Sequence, residues 1–258
     1  MLIDSHCHLD HLDLSSYDNS IDLLLRSARA AGVERFLSVG IDLKSSRDII
    51  EISSKYSDVD VSVGLHPLQE GCPLVPSEEE LISLASHSNV VAIGETGLDN
   101  HYGKKSSEWQ KDSFITHLKA GSKSKKPVIV HTRSAKDETI KILRDYADTS
   151  CGGVLHCFTE TAEMAFNAIE LNFYISFSGI ITFKNASSLR ETVKKIPIER
   201  ILIETDSPWL APIPFRGKKN EPKYVIEVAK TIAQIKGITL EEVCEKTTLN
   251  YKKLFFKG

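Results

Sequence analysis

Seven residues in this chain have the types and spacing of a hydrolytic metal centre: His6 and His8 as a pair, then Glu95, His131, His156, Glu204 and Asp206. Imidazole is a neutral ligand for borderline divalent cations, and a carboxylate is an anionic one that can bridge two of them. Two cations about 3.5 to 4 Å apart lower the pKa of a shared water and stabilise charge on attacking and leaving oxygens, as phosphoester hydrolysis demands. A lone buried histidine is more often a satisfied core residue. These residues differ because each closes a short apolar run, at the same relative place in successive segments.

Those runs read as eight strands: residues 2 to 8, 35 to 40, 60 to 66, 90 to 96, 128 to 132, 153 to 158, 173 to 178 and 200 to 206. Helical patterns lie between them. In Ser20 to Ala31 the apolar residues Ile21, Leu24, Leu25 and Ala28 keep helical spacing, and Gly32 stands just beyond the end. Ser77 with Glu80 and Thr239 with Glu242 make capping boxes, and Pro222 suits a first helical turn. Strands apolar on both faces, joined by helical crossovers, call for a parallel sheet, and eight such units predict one (β/α)8 TIM barrel spanning residues 1–258. The catalytic site belongs at the C-terminal ends of its strands. An open doubly wound sheet is the alternative fold.

Within a strand alternate residues share a face, so His6 and His8 aim into the barrel mouth while Cys7 turns to the helices. Cys7 and Cys157 are therefore read as packing residues and not as ligands. On the fourth strand Val91, Ile93 and Glu95 are expected on one face, with Glu95 between two ligand groups. Strand order puts His6, His8 and Asp206 in one group and His131 with His156 in the other. Asp206, at the metal edge, is the candidate catalytic base beside Glu95.

A second tier surrounds this set. His66 closes the third strand and can contact substrate or orient a ligand; Glu204 can hold a ligating histidine or bind metal itself. Arg133, two residues beyond His131, suits a phosphate oxygen, with a carboxylate salt bridge as the competing reading. Lys184, Arg216 and Lys218, with the rings of Tyr102, Phe158, Phe183, Trp209 and Phe215, follow strand ends where nucleobases could stack, although packing is the better reading for any single ring. The irregular stretch Ser207 to Asn220 would arch over the catalytic end or merely connect. His117, in an amphipathic helix, is expected at the surface, and His11 and His87 are set aside.

Composition narrows the class. A formal net charge of -3 excludes a strongly basic protein that coats nucleic acid, though not a local basic groove. The N-terminus has no signal-like pattern and no apolar stretch reaches membrane-spanning length, so a cytoplasmic chain, monomeric and without a membrane partner, is expected. Five scattered cysteines without a CxxC pair argue for reduced thiols.

At its motifs the chain resembles the TatD family of metal-dependent deoxyribonucleases, within the amidohydrolase-like barrels. The resemblance runs nearly end to end, through Asp4-Ser5-His6-Cys7-His8, Gly64-Leu65-His66-Pro67, Gly94-Glu95-Thr96-Gly97-Leu98-Asp99, Val130-His131-Thr132-Arg133, His156-Cys157-Phe158, Gly179 to Asn185, Glu204 to Leu210 and Arg216 to Pro222. It implies a (β/α)8 fold, two divalent ions and hydrolysis of DNA phosphodiesters, often 3′ to 5′ on single strands. Mg2+ or Mn2+ is expected for turnover, with Zn2+ or Ni2+ as ions the histidines could also bind. His6, His8, Glu95, His131, His156 and Asp206 are the implied ligands, the same set that strand geometry selects. Thr159-Glu160-Thr161 and Asn100-His101 depart from the family pattern and leave substrate preference open. A metal-dependent hydrolase of another ester or amide, on aminoacyl-tRNA or a small molecule, is the alternative, with Glu95 standing where such barrels often carry a modified lysine and no lysine near before Lys104. A nonenzymatic metal-binding protein is the third.

Overall fold

The computed structural model describes residues 1–69, 73–101 and 108–256. Cys72, Tyr102 and Lys104 lie outside the described residues.

Eight strands form one parallel sheet in sequence order: β1 Leu2–Cys7, β2 Val33–Val39, β3 Val59–Val63, β4 Val90–Asp99, β5 Val128–Arg133, β6 Gly153–Leu155, β7 Phe173–Phe177 and β8 Ile201–Ile203. Nine helices alternate with or follow them among the described residues: α1 Ile21–Ala30, α2 Leu43–Ser53, α3 Glu78–Ala85, α4 Glu108–Ser124, α5 Lys136–Tyr146, α6 Ala162–Glu170, α7 Ser187–Lys195, α8 Val225–Lys236 and α9 Leu240–Phe255. A doubly wound sheet would reverse its strand order at a switch point. Here the order never reverses, and β1 meets the end of β8 through a parallel bridge between Cys7 and Ser207, which brings the sheet round into a (β/α)8 barrel.

Local signals act as read. Ser20 accepts the Leu23 N–H at the start of α1, and Ser77 with Glu80 closes a reciprocal capping box on α3. Gly32, just past α1, has φ +93, a left-handed turn that leads the chain back into β2.

Two apolar layers build the core. Ile3, Leu37, Ile129, Val154, Tyr174 and Leu202 point into the barrel, while Leu2, Phe36, Val130, Leu155, Phe173 and Ile203 pack against the helices. Tyr251, Leu254 and Phe255 of α9 join the inner layer. Tyr251 donates a hydrogen bond to Asp60 at 2.7 Å, and Asp60 also accepts from Arg35 at 2.7 Å, so the polar atoms of this plug are paired.

One alternation fails. Val91 and Ala92 both belong to the inner cluster and Ile93 to the outer, so Val91, Ile93 and Glu95 do not share a face. The β4–β5 register shifts between Ile93 and Thr96, and this irregularity re-aims Glu95 into the barrel. Beyond it, Gly97 (φ +139) lets β4 approach β5 closely, since a Cβ there would lie 2.0 Å from the His131 carbonyl oxygen.

His117 is not on the surface. It is fully buried, with Nδ1–H donating to the Ser113 carbonyl at 2.6 Å and Nε2 accepting the Leu65 N–H at 2.9 Å, which ties α4 to the segment carrying His66. Burial pushes its pKa down from 6.5 to about 4. The unfolded chain therefore binds the extra proton first, and stability contributed by this group is intact above pH 6.5 and lost as pH falls toward 4. Compared with His117→Gln in denaturant titrations across that interval, wild type is expected to lose up to about 3 kcal/mol more on acidification; parallel pH profiles would refute it.

Candidate metal centre

Each strand end delivers its side chain by the same device, an apolar run whose last inward position is polar. His6 and His8 close β1, Glu95 and Asp99 lie on β4, His131 on β5, His156 just past β6, and Glu204 and Asp206 just past β8. They converge at the floor of a cavity of about 740 Å³, whose lining includes His8, His66, Glu95, His131, His156 and Asp206.

Glu95 is the hub. Its Oε1 lies 2.6 Å from His156 Nε2, 3.2 Å from His131 Nδ1 and 3.2 Å from His66 Nε2, and its Oε2 lies 3.3 Å from His6 Nε2. Asp206 Oδ1 stands 3.5 Å from His8 Nε2 and 3.7 Å from His6 Nε2. Burial alone would raise both carboxyls, but the surrounding imidazoles outweigh it, holding Glu95 well below the usual range and Asp206 below it.

The far nitrogen of each ring decides which face is a donor. His8 Nδ1–H donates to the Val39 carbonyl at 3.1 Å, His131 Nε2–H to Asp99 at 2.9 Å, and His156 Nδ1 faces Glu204 Oε1 at 3.3 Å. In the neutral rings this leaves lone pairs at His8 Nε2, His131 Nδ1 and His156 Nε2, all aimed at the centre. His66 differs. Its Nδ1 accepts the Leu68 N–H at 3.0 Å, so the ring proton sits on Nε2 and is donated to Glu95. The geometry thus makes His66 a support for Glu95.

This arrangement suits divalent cations. His6 Nε2 and His8 Nε2 approach to 3.2 Å, and His156 Nε2, buried without a hydrogen-bond partner among the described residues, faces a carboxylate oxygen at 2.6 Å. Electron-rich atoms that close need a proton or a cation between them. Donor atoms of His6, His8 and Glu95 fall within 4.8 Å of one another, as do those of His6, His156 and Asp206, and those of His66, Glu95 and His131. His156 therefore serves both sides of the centre. His156 Nε2 and His131 Nδ1 face the same Glu95 oxygen at 2.6 and 3.2 Å, and the His156 ring also stacks on that of His6 at 3.9 Å.

The loop after β8 is fixed by side chains that alternation did not single out. Thr205 donates to the Asp4 carboxylate from its N–H (2.8 Å) and its hydroxyl, and Asn220 Nδ2 donates to the carbonyls of Thr205 (2.8 Å) and Trp209 (2.6 Å). Between them Asp206 has φ +57, a left-handed conformation unfavourable for a side chain with a Cβ, sustained by its N–H on the His6 carbonyl at 2.9 Å. Asp99 follows Glu95 at even spacing on the same strand, yet nothing in the alternation pairs it with His131.

The second tier divides. Arg133 lines the cavity and, among the described residues, makes no salt bridge. Glu204 is fully buried behind His156 and accepts the Cys157 N–H at 2.8 Å, a holding role. Lys184 is exposed and does not line the cavity, and Arg216 stacks over Phe183 at 3.9 Å and donates to the Ala211 carbonyl, so neither stands on the cavity wall. Cys7 packs against the helices as expected; Cys157 instead lines the cavity, 3.2 Å from Ser178 Oγ, because its φ of +43 swings it off the outward face. Of the loop from Ser207 to Asn220, Trp209 and Leu210 face the cavity, while Phe215 packs back on Tyr224. Glu160 and Thr161, in the departing segment, accept the Ser134 N–H and cap α6.

Known proteins share this chain almost end to end. The family model for TatD related DNase matches residues 3–256. The uncharacterized metal-dependent hydrolase YcfH of Escherichia coli K12 is 46% identical over 254 residues, covering 98% of this chain and 95% of YcfH. YabD of Bacillus subtilis, described in the same words, is 41% identical over 258 residues, 99% of either chain. The solved structure of YjjV, a TatD homologue from Escherichia coli, superposes with a TM-score of 0.91 at 27% identity, covering 100% of this chain and 98% of that one.

If Asp99 fixes the His131 ring, Asp99→Asn should weaken Mn2+ or Zn2+ binding roughly 10–100-fold in calorimetric titration, with an unchanged circular dichroism spectrum. Affinity within twofold of wild type would show that the ring is held otherwise.

Proposed function

Since the chain belongs to the TatD-related DNase family, we propose that this metal-dependent hydrolase cleaves DNA phosphodiester bonds, acting as a 3′ to 5′ exonuclease on single strands. One observation carries the reading: imidazole nitrogens and two carboxylates converge beneath a cavity on whose wall Arg133 stands without an ion-pair partner among the described residues. A guanidinium beside a cationic centre suits a phosphodiester, which presents non-bridging oxygens to both.

His6, His8, His131, His156, Glu95 and Asp206 would hold two divalent cations. Bound there, Mg2+ or Mn2+ supplies Lewis acidity and makes water a nucleophile near neutral pH. Asp206, ionised and at the cavity surface, accepts the proton of the attacking water. Arg133 binds a non-bridging oxygen and turns the phosphorus toward that water. Glu204 and Asp99 keep His156 and His131 in the tautomers that face the centre, and His66 steadies Glu95 through its Nε2–H.

Hydrolysis of a lactone, a small organophosphate or an aminoacyl ester would use the same floor. Arg133 favours the phosphodiester.

End-labelled single- and double-stranded DNA, incubated with Mg2+ or Mn2+, should shorten from the 3′ end, single strands faster, and chelator should abolish it. Asp206→Asn should lower kcat roughly 10²–10⁴-fold. No cleavage with any metal, or undiminished cleavage by Asp206→Asn, would refute the proposal, and turnover of charged tRNA or a lactone alone would redirect it.

A further inference from the structure

Five rings follow the strand ends, and the fold separates them. Phe158 is buried and packs edge-on against Phe177, Phe183 lies beneath the Arg216 guanidinium, and Phe215 stacks on Tyr224 at 3.9 Å. Tyr102 lies outside the described residues. Trp209 alone among the described Phe, Tyr and Trp side chains stands on the cavity wall, and it is 48% exposed.

The backbone that carries the indole is held. The Trp209 backbone N–H donates to the Asp206 carbonyl at 3.0 Å and its backbone carbonyl accepts from Asn220 at 2.6 Å, so the main chain that carries the ring is tied to the residue proposed as the base. His8 meets it edge-on at 5.1 Å and 70°, and His11 lies tilted at 5.9 Å. Leu210 and Ile180 continue the wall as apolar surface beside it. A large, half-exposed π surface beside a candidate cation-binding floor is complementary to a ligand with a flat apolar part joined to an anionic part.

Building on the phosphodiesterase reading, we infer that Trp209, with His11 beside it, is the stacking platform for the nucleobase adjoining the scissile phosphate. Every base has a π face, so such a platform accepts all four bases and needs no sequence readout. It also supplies affinity next to the reacting phosphate, where Lys184 and Arg216, off the cavity wall, do not. The predicted specificity is for nucleotides over sugar phosphates that lack a base.

The test uses the full-length metal-loaded enzyme and two labelled single-stranded oligonucleotides, one ordinary and one whose two 3′-terminal residues are abasic. Wild type should prefer the ordinary strand in kcat/KM. That preference should fall roughly tenfold in Trp209→Ala, persist in Trp209→Phe, and shrink in part in His11→Ala. Bound-metal content, measured in each variant, separates a lost platform from a damaged floor, since His8 touches the indole. An unaltered preference in Trp209→Ala with full metal content, or equal loss on both strands, overturns the platform while leaving the phosphodiesterase reading intact. Cleavage of neither strand by wild type overturns both.

Discussion

A carboxylate buried among imidazoles dictates the rest of this molecule. Glu95 lies within 3.3 Å of nitrogens from four histidines, each from a different strand or strand end. A charge so far from water persists only where opposite charge or donated hydrogen bonds offset its desolvation. The barrel meets that requirement twice over. His66 donates to Glu95 directly, and His131 and His156 are themselves held by Asp99 and Glu204, so the centre is a carboxylate ringed by histidines and the histidines are backed by carboxylates. Even the irregular stretch of β4 serves this: with Ile93 turned to the outer layer, the register shift before Thr96 brings Glu95 back to the inner face.

What could be read in the sequence was whatever depends on position along one strand. Apolar runs and their polar ends located all eight strands, and alternation selected His6, His8, His131, His156 and Asp206 as inward-facing. It failed at Ile93, where a register shift, set by the neighbouring strand, breaks the period. It failed again at His117, because α4 is polar enough to look exposed while one of its polar faces is needed to bind the backbone at Leu65. Asp4, Asn220 and Asp99 act across strands or loops. Their partners are 201, 15 and 32 residues away, distances at which a one-dimensional pattern carries no signal.

The loops show the same limit. Phe183, Trp209, Phe215 and Arg216 have equal claims on substrate as letters, and packing alone sorts them: two are used to brace each other or a neighbour, and Arg216 covers Phe183. Trp209 stays half exposed on the cavity wall, its backbone held by Asn220 and Asp206.

The seam where the sheet comes round is made of the centre itself. Strand β1 and the end of β8 are joined by Asp206 donating to the His6 carbonyl, His8 donating to the Ser207 carbonyl, and Thr205 donating to Asp4. Closing the barrel and gathering His6, His8 and Asp206 are therefore a single event. A cation held by those side chains would work as a clasp, adding its binding energy to the closed form by mass action. Heat that parted the first strand from the last, and a chelator that removed such a clasp, would then attack the molecule along one line.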